Sequence, residues 1–240
     1  MKPIYHRIIL KLSGEALADS SDSTILDHGK LQMIGSTVEM IRNLGVDVGI
    51  VVGAGNIWRG RLADKIRIEP STADYMGMLG TVINALAIQS AIEERGLPCR
   101  VMSAINVPQV CEPYYRRRAI HHLEKGRVVI FAGGTGNPYC TTDSCAALRA
   151  LEVGADAILM AKNGVDGVYD SDPRKNPDAK KIDRITLQEM IAKNLAVMDL
   201  GAAAMLGGKK KVIRVFSMDD PSSFEKVLTG IDVGTTVIDE

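Results

Sequence analysis

An α/β fold, a three-layer sandwich with a mostly parallel central sheet and helices on both faces, is predicted by three features of this 240-residue sequence. Strand-like apolar runs alternate with helix-like periodic segments along the whole chain, the order that a parallel sheet with crossover helices requires. Four of those runs end in glycine turns, at Ser13–Glu15, Gly53–Asn56, Gly133–Asn137 and Asn163–Gly167, so the turns share the sheet edge where open α/β proteins bind ligands. Usage of 46% hydrophobic and 24% charged residues fits one well-filled domain spanning 1–240.

The first strand is Ile8–Leu12, apolar except for Lys11 and stopped by Ser13-Gly14-Glu15. From Asp27 onward, Leu31, Ile34, Val38 and Ile41 recur at helical spacing, and Gly45 follows where a C-terminal glycine belongs. Asp47–Val52 reads as a buried strand, and a long helix runs from about Thr72 to Glu94 with Met76, Leu79, Val82, Ile83 and Leu86 on one side. Cys99–Ser103 is a strand, Tyr114–Glu124 a helix, Arg127–Phe131 a strand, Ser144–Val153 a helix and Ala157–Ala161 a strand. Two short helices follow, Thr186–Ala192 and Asp199–Leu206, then a strand Val212–Phe216. Ser222 and Glu225 have capping-box spacing for a last helix, and Thr235–Ile238 reads as an edge strand.

Lysine plus arginine equals aspartate plus glutamate at 29 each, which leaves no general field for nucleic acid or an anionic membrane; an anionic ligand must be held locally. Cys99, Cys111, Cys140 and Cys145 form no CxxC pair and have no histidine at ligand spacing, so neither a zinc site nor a disulfide framework is expected. His121 and His122 are adjacent on a helix, point in different directions and read as surface residues. No apolar leader follows Met1 and no run approaches the length of a membrane span, so the expectation is a soluble cytoplasmic chain.

The stretch Ala132–Asp143, AGGTGNPYCTTD, joins a strand to a helix. Its glycines permit positive φ and close backbone approach, and free amides at a helix start favour anions. It reads either as a cradle for a phosphorylated ligand or as a plain glycine loop capped by Thr142 or Asp143. Lys11 is either an edge or surface lysine or a cation aimed at phosphate. Asp74, in the first turn of the long helix, either complements the helix dipole or accepts from sugar hydroxyls. Trp58 reads as packing, and the polar, lysine-rich excursion from Asp170 to Asp183 as either a purine rim or a solvated loop. No Walker A pattern and no nucleophile with a histidine partner occur; two anionic ligands on one rim, with Lys11 and Arg59 as cations, suggest phosphoryl transfer.

KLSGE (Lys11–Glu15), GAGN with Arg59, AD-x-MGMLGTV-x-N (Ala73–Asn84), MSA (Met102–Ala104), GTGNPYCTTD (Gly134–Asp143), VDGVYDSDP (Val165–Pro173), VMDL (Val197–Leu200) and IRVFSM (Ile213–Met218) together resemble the bacterial UMP kinases of the amino-acid kinase family. The resemblance covers nearly the whole chain, and GTGNP followed by TTD is its most specific part. It implies transfer of the γ-phosphoryl group of ATP to UMP with Mg²⁺, an N-terminal UMP-binding part, and an ATP-binding part from about residue 155. Carried over by motif, the catalytic residues are Lys11, Arg59 and Asp143. ATP would be held by Lys11, Leu12, Ser13, Gly14, Gly55, Arg59, Asn163, Tyr169 and Asp172. UMP would be held by Ala54, Asp74, Thr135, Gly136, Asn137, Pro138, Tyr139, Cys140, Thr141 and Thr142, and no protein metal site is implied. The family's homohexamer, with UTP inhibition and GTP activation, is implied as well. The sequence departs from the family at Ala54, which stands in place of a glycine and is expected at negative φ, and in the glycine-free segment Ala18–Thr24, which argues against GTP activation. The alternatives are a nucleotide-binding storage or regulatory protein of the same fold and a carboxylate or carbamate kinase.

Overall fold

The computed structural model describes residues 2–19, 24–162, 164–173, 175–193, 195 and 197–239, without the side chains of residues 61 and 64. In chain order the first half contains β1 (Arg7–Leu12), α1 (His28–Asn43), β2 (Asp47–Val52), α2 (Ala63–Ile66), α3 (Pro70–Glu93), β3 (Cys99–Ser103), β4 (Glu112–Pro113), α4 (Arg116–Glu124) and β5 (Val128–Ala132). The second half contains α5 (Thr142–Val153), β6 (Ala157–Lys162), β7 (Val168–Tyr169), β8 (Lys181–Ile182), β9 (Arg184–Thr186), α6 (Leu187–Ala192), α7 (Leu200–Leu206), β10 (Val212–Ser217), α8 (Ser222–Leu228) and β11 (Thr235–Ile238).

Among the described residues nine strands form one sheet in the order β4-β3-β5-β2-β1-β6-β10-β11-β9. Every pairing in it is parallel except β10 with β11. The predicted parallel α/β sandwich is therefore the observed architecture. β1 and β2 lie at its centre, and β2 is buried at all six positions, which explains why its sequence is apolar without alternation.

Alternation along the strands divides the core into two layers. Ile8, Leu10 and Leu12 of β1 pack with Ile34, Val38 and Ile41 of α1, Val82, Ala85 and Ile88 of α3, and Phe224 and Val227 of α8. Ile9 faces the opposite side, with Ala146 and Ala150 of α5, Met190 of α6 and Ala203 of α7. Because side chains alternate with period two, Lys11 lies on the Ile9 face, at the last turn of strand before the rim. The edge-strand alternative for Lys11 is thereby removed.

Several expectations change. Thr235–Ile238 is not an edge strand: β9 pairs beyond it, in parallel register Val237 with Ile185. The last helix starts without the expected Ser222 cap. Asp220 accepts from the Ser222 amide instead, and the capping box is at Thr186 and Glu189. The stripe proposed for α3 is turned: Val82 is buried, whereas Leu79 and Ile83 are each 48% exposed. With a mean hydropathy of 1.3 over 18 residues, α3 is apolar nearly all round and is long enough to cross a membrane, contrary to the expectation that no run is. Half of that window is buried in the domain, the condition of a core helix. His122 is also no surface residue. It is buried, with Nε2 3.2 Å from Glu112 Oε2 and Nδ1 2.9 Å from Arg127, because α4 turns that position onto β4.

Candidate active site

The C-terminal ends of β5, β2, β1 and β6 are neighbours in the sheet, so all four glycine turns meet on one rim. After β1 the chain makes a single 3₁₀ turn, Gly14–Leu17. A Cβ on Gly14 would stand 2.6 Å from the Gly55 amide nitrogen and 2.8 Å from the Gly53 carbonyl oxygen. The first two turns therefore touch backbone to backbone, a fit only glycine allows. Ala54 has negative φ, as expected, and neither Gly53 nor Gly55 is in the left-handed region. The Ala54 methyl is accommodated across the helix: a Cβ on Gly80 would meet it at 2.9 Å, so Gly80 supplies its room.

At the third turn, Gly133, Gly134 and Gly136 have φ of 70°, 58° and 83°. The Gly133 amide donates to Thr81 Oγ1 of α3 at 2.8 Å, and the Tyr139 amide donates to Asp74 Oδ2 at 2.7 Å. Asp74 is thus one turn inside α3, not in its first turn, and the dipole account of it fails. The capping carboxylate is Glu69, held down to about pKa 2 by the Ser71 hydroxyl and the Thr72 and Ser71 amides. The cap of α5 is Thr141, whose Oγ1 accepts from the Asp143 and Ser144 amides at 3.1 Å each and donates to Asp199. Capping by Thr141, not by Thr142 or Asp143, leaves the Asp143 carboxylate for other work.

That carboxylate meets Lys11. Lys11 Nζ stands 2.9 Å from Asp143 Oδ1, both side chains less than one-fifth exposed. Among the described residues no hydrogen-bond donor is aligned on Oδ1, so the contact is a charge pair without full hydrogen-bond geometry. Lys162 ends β6 on the same sheet face and donates to the Val197 carbonyl at 3.2 Å. Burial first, then the neighbouring Lys11 charge, pushes the Lys162 ammonium below the ordinary lysine range, while Asp143 opposes the shift. Two cations and one carboxylate thus sit where β1, β6 and α5 converge. Sequence reasoning missed Lys162 because a lysine before an Asn-Gly pair reads as a turn residue. The usable signal was its position at the end of an apolar strand, the same that singled out Lys11.

Two cavities adjoin the elements that carry this cluster, one reaching Thr142 next to Asp143 and the other Gly164 and Ser217 beside Lys162. One, of about 280 Å³, is lined by Ala54, Gly55, Trp58, Asp74, Thr135, Cys140, Thr141 and Thr142 among others. Trp58 therefore faces a cavity instead of only packing. Cys145 also lines it, and burial pushes its thiol up to about 11. The other, of about 420 Å³, is lined by Gly164, Val165, Asp166, Tyr169, Pro173, Ser217 and Asp219. Tyr169 donates to Asp166 at 2.6 Å, and Lys181 pairs with the same carboxylate at 3.1 Å, which fixes this wall through the β7–β8 hairpin.

The structure does not bring every expected residue to the cavities. Gly136, Asn137, Pro138 and Tyr139 do not line the first cavity; Tyr139 is 78% exposed and has φ of 63°. Leu12 is buried in the core and its carbonyl accepts from the Gly53 amide, so its side chain reaches no ligand. Ser13 begins the 3₁₀ turn without a side-chain cap. Asp172 lies off the second cavity, 3.9 Å from Lys175. Asn163 lies outside the described residues, as do residues 20–23 of the first loop. Arg59 does reach the rim: its Nε donates to the Gly55 carbonyl at 3.0 Å and it pairs with Glu15 at 2.6 Å. Among the described residues no three histidine, cysteine, aspartate or glutamate side chains group as a metal site.

A glycine-turn rim carrying a lysine–carboxylate pair, on this sheet order, defines a class: the model of the amino acid kinase family matches residues 6–217, and the chain belongs to that family. Within it the similarity is to uridylate kinases. That of Rubrobacter xylanophilus is 54% identical over 232 residues, 96% of this chain and 91% of that protein. That of Pediococcus pentosaceus is 48% identical over 233 residues, 97% and 96% of the two chains. The crystal structure of UMP kinase from Bacillus anthracis matches with a TM-score of 0.95 at 40% identity, covering 98% of this chain and 97% of that one.

Proposed function

We infer that the chain is a nucleoside monophosphate kinase, transferring the γ-phosphoryl group of ATP to UMP to give UDP. The observation that carries this reading is the pair of cavities adjoining the elements that carry the Lys11–Asp143–Lys162 cluster. UMP occupies the cavity beside Asp74, Thr135, Cys140, Thr141 and Thr142. Asp74 has acceptor capacity beyond its bond to Tyr139 and takes the ribose hydroxyls. ATP lies across the first turn with its base at the Tyr169 wall. A UMP phosphate oxygen forms a bond to the γ-phosphorus as the bond to the bridging β–γ oxygen breaks, and ADP leaves. The negative charge spread over the transferring group meets Lys11 and Lys162, held in place before the reaction. Asp143 orients the two ammonium groups, and Arg59 exchanges Glu15 for phosphate. Mg²⁺ is carried over from the family resemblance and enters with ATP as part of the substrate.

Acceptor choice tests this reading. ADP release, measured with UMP, CMP, aspartate and carbamate as acceptors, is expected to be fast with UMP alone. Turnover on aspartate or carbamate would mean a carboxylate or carbamate kinase, and no UMP-dependent turnover a binding protein.

The homohexamer and UTP inhibition are carried over from the family resemblance. Tyr75, Leu79 and Ile83, spaced four residues apart and exposed on one face of α3, support self-association. A cytoplasmic role in pyrimidine nucleotide biosynthesis is in keeping with four free cysteines. GTP activation is not part of the reading, because the segment 18–24 lacks the family's glycines. Initial rates titrated with GTP are expected to stay flat; a steep rise would overturn that exclusion.

A further inference from the structure

We infer that Arg149 is a positioning residue for acceptor recognition, holding the third glycine turn in its binding shape from below; this rests on the UMP kinase reading above. Arg149 lies on α5 and is 3% exposed. One terminal nitrogen donates to the Gly134 carbonyl at 3.1 Å and the other pairs with Glu152 Oε2 at 2.5 Å. Its guanidinium carbon stacks 3.8 Å from the centre of the Tyr114 ring, and Tyr114 in turn donates to Glu152 at 2.6 Å. Tyr114 is wedged edge-on against Phe131, the residue before Ala132. The guanidinium is thus fixed from three sides and delivers one donor to the turn.

Stability alone does not explain this arrangement. A buried ion pair is often matched or bettered by apolar residues of similar volume. Gly134 is where the donor counts. It stands at φ 58° beside Gly133 at 70°, and it lines the first cavity with Thr135. A carbonyl held into the protein commits the peptide to one orientation, and the amide of Thr135, on the other side of that peptide, is turned away from the guanidinium. Thr81 accepts from the Gly133 amide at 2.8 Å, so the Ala132–Gly133 and Gly134–Thr135 peptides, on either side of the Gly133–Gly134 peptide, are each held by one side chain. Neither anchor touches the second cavity.

The consequence is selective. Arg149→Lys keeps the charge but cannot span Glu152 and Gly134 while stacking on Tyr114. It is expected to raise KM for UMP about tenfold while KM for ATP stays within about twofold. Glu152→Gln, which loosens the hold on the guanidinium and keeps the arginine, is expected to shift KM for UMP in the same direction by about threefold. Steady-state kinetics with each substrate varied, on variants whose circular dichroism matches the parent, read this split. An unchanged KM for UMP in a folded Arg149→Lys enzyme, or equal changes for both substrates, overturns the inference. If Arg149→Lys does not fold, Glu152→Gln decides by the same criterion; if neither folds, the group is a stability element and the inference is overturned. A parent chain with no UMP turnover overturns the functional reading instead, so the two failures are told apart.

Discussion

Replacing Lys11 with alanine is expected to lower turnover by on the order of 10²–10³-fold, the effect of removing one preorganised donor from developing charge, while leaving KM for UMP close to the parent value. The structural reason is the division of the rim. Lys11 belongs to the Asp143–Lys162 cluster, whereas the acceptor cavity is walled by α3, the second turn and the third turn and does not include Lys11. Its loss removes a cation from the transferring group without touching the UMP wall. Arg at this position is not expected to rescue, because a planar fork does not reproduce the compact ammonium held 2.9 Å from Asp143. Steady-state kinetics with UMP varied at saturating ATP check this. A large rise in KM for UMP with turnover preserved would mean that Lys11 binds the acceptor instead.

Gly14→Ala is expected to cost about 100-fold in kcat/KM for ATP, the penalty that misplacement of about 1 Å in a positioning element produces. The added methyl would stand 2.6 Å from the Gly55 nitrogen and 2.8 Å from the Gly53 oxygen, both backbone atoms that cannot swing aside. The first and second turns must separate, which displaces Gly55, its partner Arg59, and the backbone that cradles phosphate. Overpacking of this kind costs stability by about 1–3 kcal/mol, so thermal unfolding is measured alongside. A variant within threefold of the parent in kcat/KM for ATP, on the same scale of misplacement, would show that the turns yield without consequence for the site.

The sheet and its rim were legible because their signals are local. Apolar strands followed by Gly14, Gly53, Gly133 and Gly164 mark strand ends without knowledge of neighbours, and parallel topology then brings those ends together. Lys11, Asp143, Asp74 and Arg59 were legible as residues, and the motif resemblance supplied their roles. What local pattern could not supply was partner choice across distance. β9 has three residues, too few to carry a period, yet it removes the edge from β11. α3 is apolar on every side, so periodicity could not tell Val82, which is buried, from Ile83, which is exposed. The burial of His122 depends on Glu112 and Arg127, neither within one helical turn on its own face. Thr141 takes the cap of α5 from Thr142 and Asp143 because Asp199 accepts its hydroxyl proton, a contact 58 residues away in sequence. Arg149 was invisible for a similar reason: a charged residue within an apolar helix segment reads as solvated until Tyr114 and Glu152 are seen around it.

In the proposed reaction the γ-phosphoryl group of ATP ends on the phosphate of UMP. Phosphorus NMR of the purified chain with ATP, Mg²⁺ and UMP follows that atom directly. The γ-phosphate signal of ATP is expected to decline as the β-phosphate signal of UDP grows in equal amount, with no free phosphate. Loss of the γ signal into inorganic phosphate, or an ATP spectrum that UMP leaves unchanged, would contradict it.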